Sequence, residues 1–177
     1  MADGALWPDL PTRWRVSAAW LAKQHDCTPR GIADRCGGGC CTNVNYWPPS
    51  TGTGAGCPYL GGPDNPGCTL SAADRPVTCL LSPLLVNANG TIVLHARATT
   101  GHGVCKGNFG RGPMLIDALQ GQLTALFGPD AVARVRADVV AGRDSYFDVP
   151  ADVLAAYERE HRWALGNVLP VPRGGAA

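Results

Sequence analysis

Eight cysteines lie in the first two thirds of this 177-residue chain, and the tightest group, Cys36-Gly37-Gly38-Gly39-Cys40-Cys41, constrains the fold more than any other feature. Three glycines between two cysteines let the backbone turn sharply enough for several sulfurs and amide N–H groups to face one centre. Cys57, Cys68, Cys79 and Cys105 follow along a segment dense in glycine and proline, where loops predominate and regular structure is sparse. Loops of that length need a staple, and metal ligation supplies one, because the free energy of binding a metal is also free energy of folding.

The competing reading is a disulfide framework, since an even cysteine count is common in small secreted domains. Met1 to Asp9 carries an early acid and a proline without a basic segment or an apolar run, so export is not expected and the thiols are expected to stay reduced, in a cytoplasmic setting or in a particle assembled inside a cell. Neighbours such as Cys40 and Cys41 also reach disulfide geometry only with strain. The expected ligands are Cys36, Cys40, Cys41, Cys57, Cys68, Cys79 and Cys105. Thiolate sets suit zinc or an iron–sulfur cluster, each taking four sulfurs, and the choice between them stays open.

The length suits one domain with a core of its own. Residues 1–112 read as a cysteine-rich metal-binding part and 113–177 as a helical extension of the same domain, loose from about 170. A net charge of +1 with no basic run gives no footprint for nucleic acid, and no apolar stretch is long enough to span a bilayer.

Trp14, Val16, Ala19, Trp20, Leu21 and Ala22 predict an amphipathic helix from Thr12 or Arg13 to about His25. Cys27 to Pro76 reads as irregular. Its Ser50–Gly56 run lacks the Gly-Lys-Ser/Thr ending of a phosphate loop and reads as solvated. Leu80–Val86 and Thr91–Arg97 flank Asn87-Ala88-Asn89-Gly90 and predict a hairpin between Cys79 and Cys105. Apolar periodicity then predicts helices over Pro113–Phe127, Asp130–Ala141 and Ala151–Leu165, with Gly128-Pro129 as a stop. The expected class is α+β: a small loop-rich metal-thiolate domain with a β-hairpin, an N-terminal helix and about three C-terminal helices.

The order Cys36-x-x-x-Cys40-Cys41, Cys57-Pro58-Tyr59-Leu60, Gly67-Cys68, Arg75-Pro76-x-x-Cys79 and Cys105-x-Gly107 resembles the YkgJ-like, CxxCxxCC-type family of zinc- or iron-chelating proteins. The resemblance spans roughly residues 27 to 112 and implies metal chelation by these cysteines. Cys27 lies nine positions before Cys36, farther than the family's spacing, and stands outside the expected ligand set.

Among other polar residues, His102 lies three positions before Cys105 and is either a ligand, a donor to one, or solvated. His95 and His161 read as structural or exposed. Arg75 either bonds backbone carbonyls near Cys79 or pairs with Asp74. Two function classes follow. In one, iron–sulfur or zinc held by the cysteines supports redox or modification chemistry; in the other, the metal staples an interaction module of a larger assembly such as a virus particle, with the C-terminal helices meeting a protein partner. Catalysis, substrate and partner are left open.

Overall fold

The computed structural model describes residues 10–31, 34, 59, 68–94 and 108–168. Within these, a mixed four-stranded sheet is covered on one face by helices, an α+β architecture. The first strand, β1 (Arg13–Val16), occupies an inner position of that sheet, which corrects the expected helix over 12–25. Its residues alternate exposed and buried, with Trp14 and Val16 inward and Arg13 and Arg15 outward. That is the two-residue period of a half-buried strand and not a helical stripe. Helix appears only in the single turn α1 (Ala18–Leu21), after which β2 (Gln24–His25) begins a second, two-stranded sheet.

A short turn of helix, α2 (Pro29–Gly31), follows. Farther on, α3 (Val77–Leu81) precedes the hairpin of β3 (Leu84–Val86) and β4 (Thr91–Leu94). Leu80 and Leu81 therefore belong to a helix, not to the expected strand. Pro83 explains the break: it cannot donate to a continuing helix, and it holds Ser82 extended at φ −57°, ψ 134°. The hairpin itself forms as expected about Asn89-Gly90, with Leu84 opposite Leu94 and Val86 opposite Ile92.

Next come β5 (Phe109–Met114), α4 (Leu115–Ala118), α5 (Gln120–Phe127), α6 (Pro129–Val140), β6 (Ser145–Asp148) and α7 (Ala151–Val168). The second and third expected helices form near their expected bounds, whereas the one expected over Pro113–Phe127 begins as strand at Pro113-Met114 and is divided at Leu119 into α4 and α5; β5 and β6 are additions. The sheet order is β3-β4-β1-β6, β1 running parallel to β4 and antiparallel to β6. It thus joins strands from both sides of the 112/113 boundary.

On the covered face Trp14 lies opposite Phe147 and meets Phe127 and Tyr157 edge-on, with ring centroids 5.9 and 5.2 Å apart. Phe127 stacks on Phe147 at 4.1 Å. Val132, Val135 and Val139 of α6 and Leu123 and Leu126 of α5 close the same core. None of the described cysteines belongs to this fully buried cluster; Cys27 packs at its margin.

Helix α7 also seals the outer edge of the sheet. The Tyr157 hydroxyl accepts from the Val86 amide at 2.9 Å and donates to the Val86 carbonyl at 3.2 Å, occupying groups that an edge strand otherwise leaves open. At the opposite edge Asp144 accepts from the Arg15 guanidinium at 2.6 Å and from the Ala18 amide at 3.0 Å. The Arg15 bond, then the Ala18 bond, hold the Asp144 carboxyl below its usual range. Among the described residues, no helix is long and apolar enough to cross a membrane.

Replacing Tyr157 by Phe strands two buried backbone groups, and denaturant unfolding is expected to lose about 1–3 kcal/mol with an unchanged slope. A carboxyl whose folded pKa is depressed stabilises above its ordinary value and loses that contribution as pH falls through the folded one. Asp144→Asn is therefore expected to lower the melting temperature at neutral pH, the gap to wild type closing on acidification below the ordinary 3.8.

Candidate metal centre

Of the seven expected ligands, Cys68 and Cys79 fall among the described residues, both half-buried. Cys36, Cys40, Cys41, Cys57 and Cys105 lie outside them, as do His95, His102, the Ser50–Gly56 run and the tail from Val171. No disulfide links any two of the described cysteines Cys27, Cys68 and Cys79. Among the described residues, no group of three or more His, Cys, Asp or Glu side chains converges as a metal site.

The segment from Cys68 to Cys79 is fastened at both ends. Arg75 donates from Nε to the Leu70 carbonyl at 2.9 Å and from its terminal nitrogen to the Cys68 carbonyl at 3.2 Å, folding the chain back on itself. A planar guanidinium with fixed donors suits that double grip. Asp74 is engaged elsewhere, accepting from the Ser71 hydroxyl at 2.6 Å, so the backbone-bonding reading of Arg75 is the observed one.

Cys79 rides in the middle of α3, one turn before the hairpin and not on it. The first amides of any helix lack internal partners, and no acid of its own lies in the first turn of α3. Glu160 of α7 supplies the acceptor: its carboxylate takes the Val77 amide at 3.2 Å, the Thr78 amide at 2.9 Å and the Thr78 hydroxyl at 2.8 Å. A negative group at a helix N-terminus also suits the helix dipole. Glu160 lies far along the chain from every cysteine. The one signal for it was an uncapped helix start at Pro76-Val77, which calls for an acceptor without naming it.

A second polar corner was missed entirely. Where β2 ends, His25-Asp26-Cys27 passes through the core, with His25 at 0% exposure and Asp26 buried. The Cys27 amide donates to the His25 carbonyl at 2.9 Å, a tight three-residue turn that swings the Cys27 side chain back over its neighbour. As a result Cys27 Sγ lies 3.0 Å from His25 Nδ1. Burial pushes the His25 pKa down, with Asp26 offsetting part of the effect.

Asn108 anchors this corner from the start of β5. Its carbonyl accepts from the Asp26 amide at 2.9 Å, and its Nδ2 donates to the Asp26 carbonyl at 3.0 Å. The Asp26 carboxylate accepts from the Thr28 hydroxyl, which in turn accepts from the Gly31 amide at 3.1 Å. Two glycines make room for it. A Cβ at Gly31 would lie 2.3 Å from the Asp26 side chain, and one at Gly112, already at φ +76°, would lie 2.9 Å from Asp26 Cβ. No other residue type fits there without movement.

Comparison with protein-family models, with curated proteins and with solved structures finds no match for the chain.

Removing the Glu160 carboxylate by substitution with Ala frees the first turn of α3. The expected result is faster hydrogen exchange at Val77 and Thr78, with a loss of about 1–2 kcal/mol typical of a removed helix cap. Unchanged exchange at both amides would refute the capping role.

Proposed function

We propose that the chain is a metal-binding protein whose cysteine cluster, Cys36, Cys40, Cys41, Cys57, Cys68, Cys79 and Cys105, holds an iron–sulfur cluster or zinc in a reducing compartment. The observation that carries the proposal is the placement of Cys68 and Cys79: two half-buried cysteines on a segment held at one end by Arg75 and at the other by Glu160. Rigid support of this kind suits a site that must keep its geometry. The order of the cysteine motifs, similar to that of the YkgJ-like chelating family, supports the same reading. Redox or modification chemistry at the metal is part of the proposal, because the metal has little to do for the main core.

A metal needed chiefly as a staple belongs to folds that lack a core of their own. Here, among the described residues, Trp14, Phe127, Phe147, Tyr157 and the surrounding aliphatic residues form a buried cluster with Cys27 only at its margin. Stapling is thus confined to the cysteine segment.

Protein purified without oxygen is expected to contain iron with sulfide, and a broad visible charge-transfer band, or zinc without colour. Alanine replacement at each of the seven cysteines should abolish metal at four of them per site. Chelation of the metal should leave the near-ultraviolet aromatic signal of the Trp14 cluster intact. Metal-free protein with its thiols oxidised in pairs would sink the proposal, as would full metal content in all seven variants.

A further inference from the structure

Asn89-Gly90, which turns the hairpin between β3 and β4, is the one Asn-Gly step in the sequence, and turning the chain does not exhaust its chemistry. An asparagine followed by glycine can modify itself. The glycine backbone nitrogen attacks the asparagine side-chain carbonyl carbon, the bond from that carbon to the side-chain nitrogen breaks, and ammonia leaves with the proton lost by the attacking nitrogen. Water then opens the resulting succinimide at one of its two carbonyls, which gives aspartate or, with the main chain rerouted through the side chain, isoaspartate. Glycine favours the first step because it carries no Cβ to obstruct the attack.

The hairpin presents one partner of this reaction and withholds the other. Asn89 is exposed, and its Oδ1 accepts from the Thr91 amide at 3.0 Å, a donor placed on the oxygen that gains negative charge during the attack. The Gly90 nitrogen, by contrast, is engaged, donating to the Asn87 carbonyl at 2.8 Å. Gly90 is itself buried at φ +75°, with the Pro11 ring where a Cβ would stand, and its carbonyl accepts from the Arg15 amide at 2.8 Å. Attack therefore requires the turn to open and release the Gly90 amide. Openings of this size cost far less than global unfolding.

The product does not fit the closed turn. Isoaspartate adds one carbon to the main chain between residues 89 and 90, and Gly90, pressed against Pro11 and bonded to Arg15, has no slack to take it up. The Arg15–Gly90 bond stands at the start of the parallel pairing of β1 with β4, where Arg15 lies opposite Thr91. We propose that Asn89 is a self-modification site gated by the hairpin: it stays asparagine while the turn is closed, converts to isoaspartate when the turn opens, and once converted loosens β1 from β4.

The test incubates the full chain in mildly alkaline buffer, folded and in urea, and follows the peptide containing residue 89 by mass spectrometry, with isoaspartate separated from aspartate by chromatography. Conversion is expected in the unfolded chain and, in the folded one, at a rate at least about fivefold lower, the factor that one withheld backbone hydrogen bond corresponds to. Asn87→Ala, which removes the side-chain acceptor of the Thr91 amide and loosens the turn, is expected to narrow that gap. If the variant does not fold, wild-type protein in urea below its unfolding transition replaces it, and conversion should accelerate there. Chains enriched in isoaspartate are expected to exchange the Arg15 amide faster than unconverted ones, or to lose the folded state altogether. Equal rates in folded and unfolded protein, or an Asn89 that survives in both, would overturn the gate. Unchanged exchange of the Arg15 amide in folded, converted protein would overturn the coupling to β1.

Discussion

Strand β1 is the member on which the rest of the molecule hangs. It is short, Arg13–Val16, yet it pairs with β4 on one side and β6 on the other, elements about 75 and 130 residues away. Closing loops of that size costs entropy that only a large burial can offset, and Trp14 provides it. Its indole is fully buried among Phe127, Tyr157 and Phe147, which come from three further elements. The outward side chains of the same strand hold the β6 edge: Arg13 lies over the Tyr146 ring at 4.5 Å, and Arg15 holds Asp144. The chain leaving β1 then turns once as α1 and delivers β2, so the position of His25-Asp26-Cys27 is inherited from the sheet.

The same strand shows why part of the fold could not be read locally. Trp14, Val16, Ala19, Trp20 and Leu21 satisfy a helical template because the second half of that window is a helical turn. The first half is decided by partners far along the chain. Strand propensity depends on cross-strand neighbours, and a four-residue strand supplies too few alternations to overrule a mixed apolar pattern. Strands β5 and β6 escaped for related reasons: Phe109–Met114 is interrupted by Gly110, Gly112 and Pro113, and Ser145–Asp148 offers two inward residues. By contrast, Asn89-Gly90 carries its turn chemistry in two adjacent residues, and Val132, Val135 and Val139 repeat at helical spacing, so hairpin and helices were legible from short windows.

Legibility of the site follows the same division. Cysteine spacing is a one-dimensional signal, and it marks Cys68 and Cys79 without any knowledge of the fold. The supports of those cysteines are three-dimensional. Glu160 reaches α3 only because α7 lies across it, and Tyr157, one turn earlier on the same helix, fixes β3 at the sheet edge. Cys27 was set apart because its distance along the chain from Cys36 exceeded the motif's spacing. Spacing says nothing of a buried histidine two residues before it, whose relation to the sulfur is created by a tight turn and by Asn108 from β5.

These two kinds of support have different energetic origins, and that difference bears on what a bound metal can do. The sheet and its helices draw their stability from burying Trp14, Phe147, Tyr157 and aliphatic neighbours, a term that exists with or without a metal. The described cysteine-bearing segments share in that burial, through Val77, Leu80 and Leu81 of α3, and add discrete polar bonds: Arg75 to the Cys68 carbonyl and Glu160 to the helix of Cys79. If the proposed metal binds at Cys68 and Cys79, such bonds would position those residues beforehand, and less of its binding free energy would be spent on ordering the chain around them. A centre assembled on such supports keeps more of that free energy for the affinity and the potential of the metal itself.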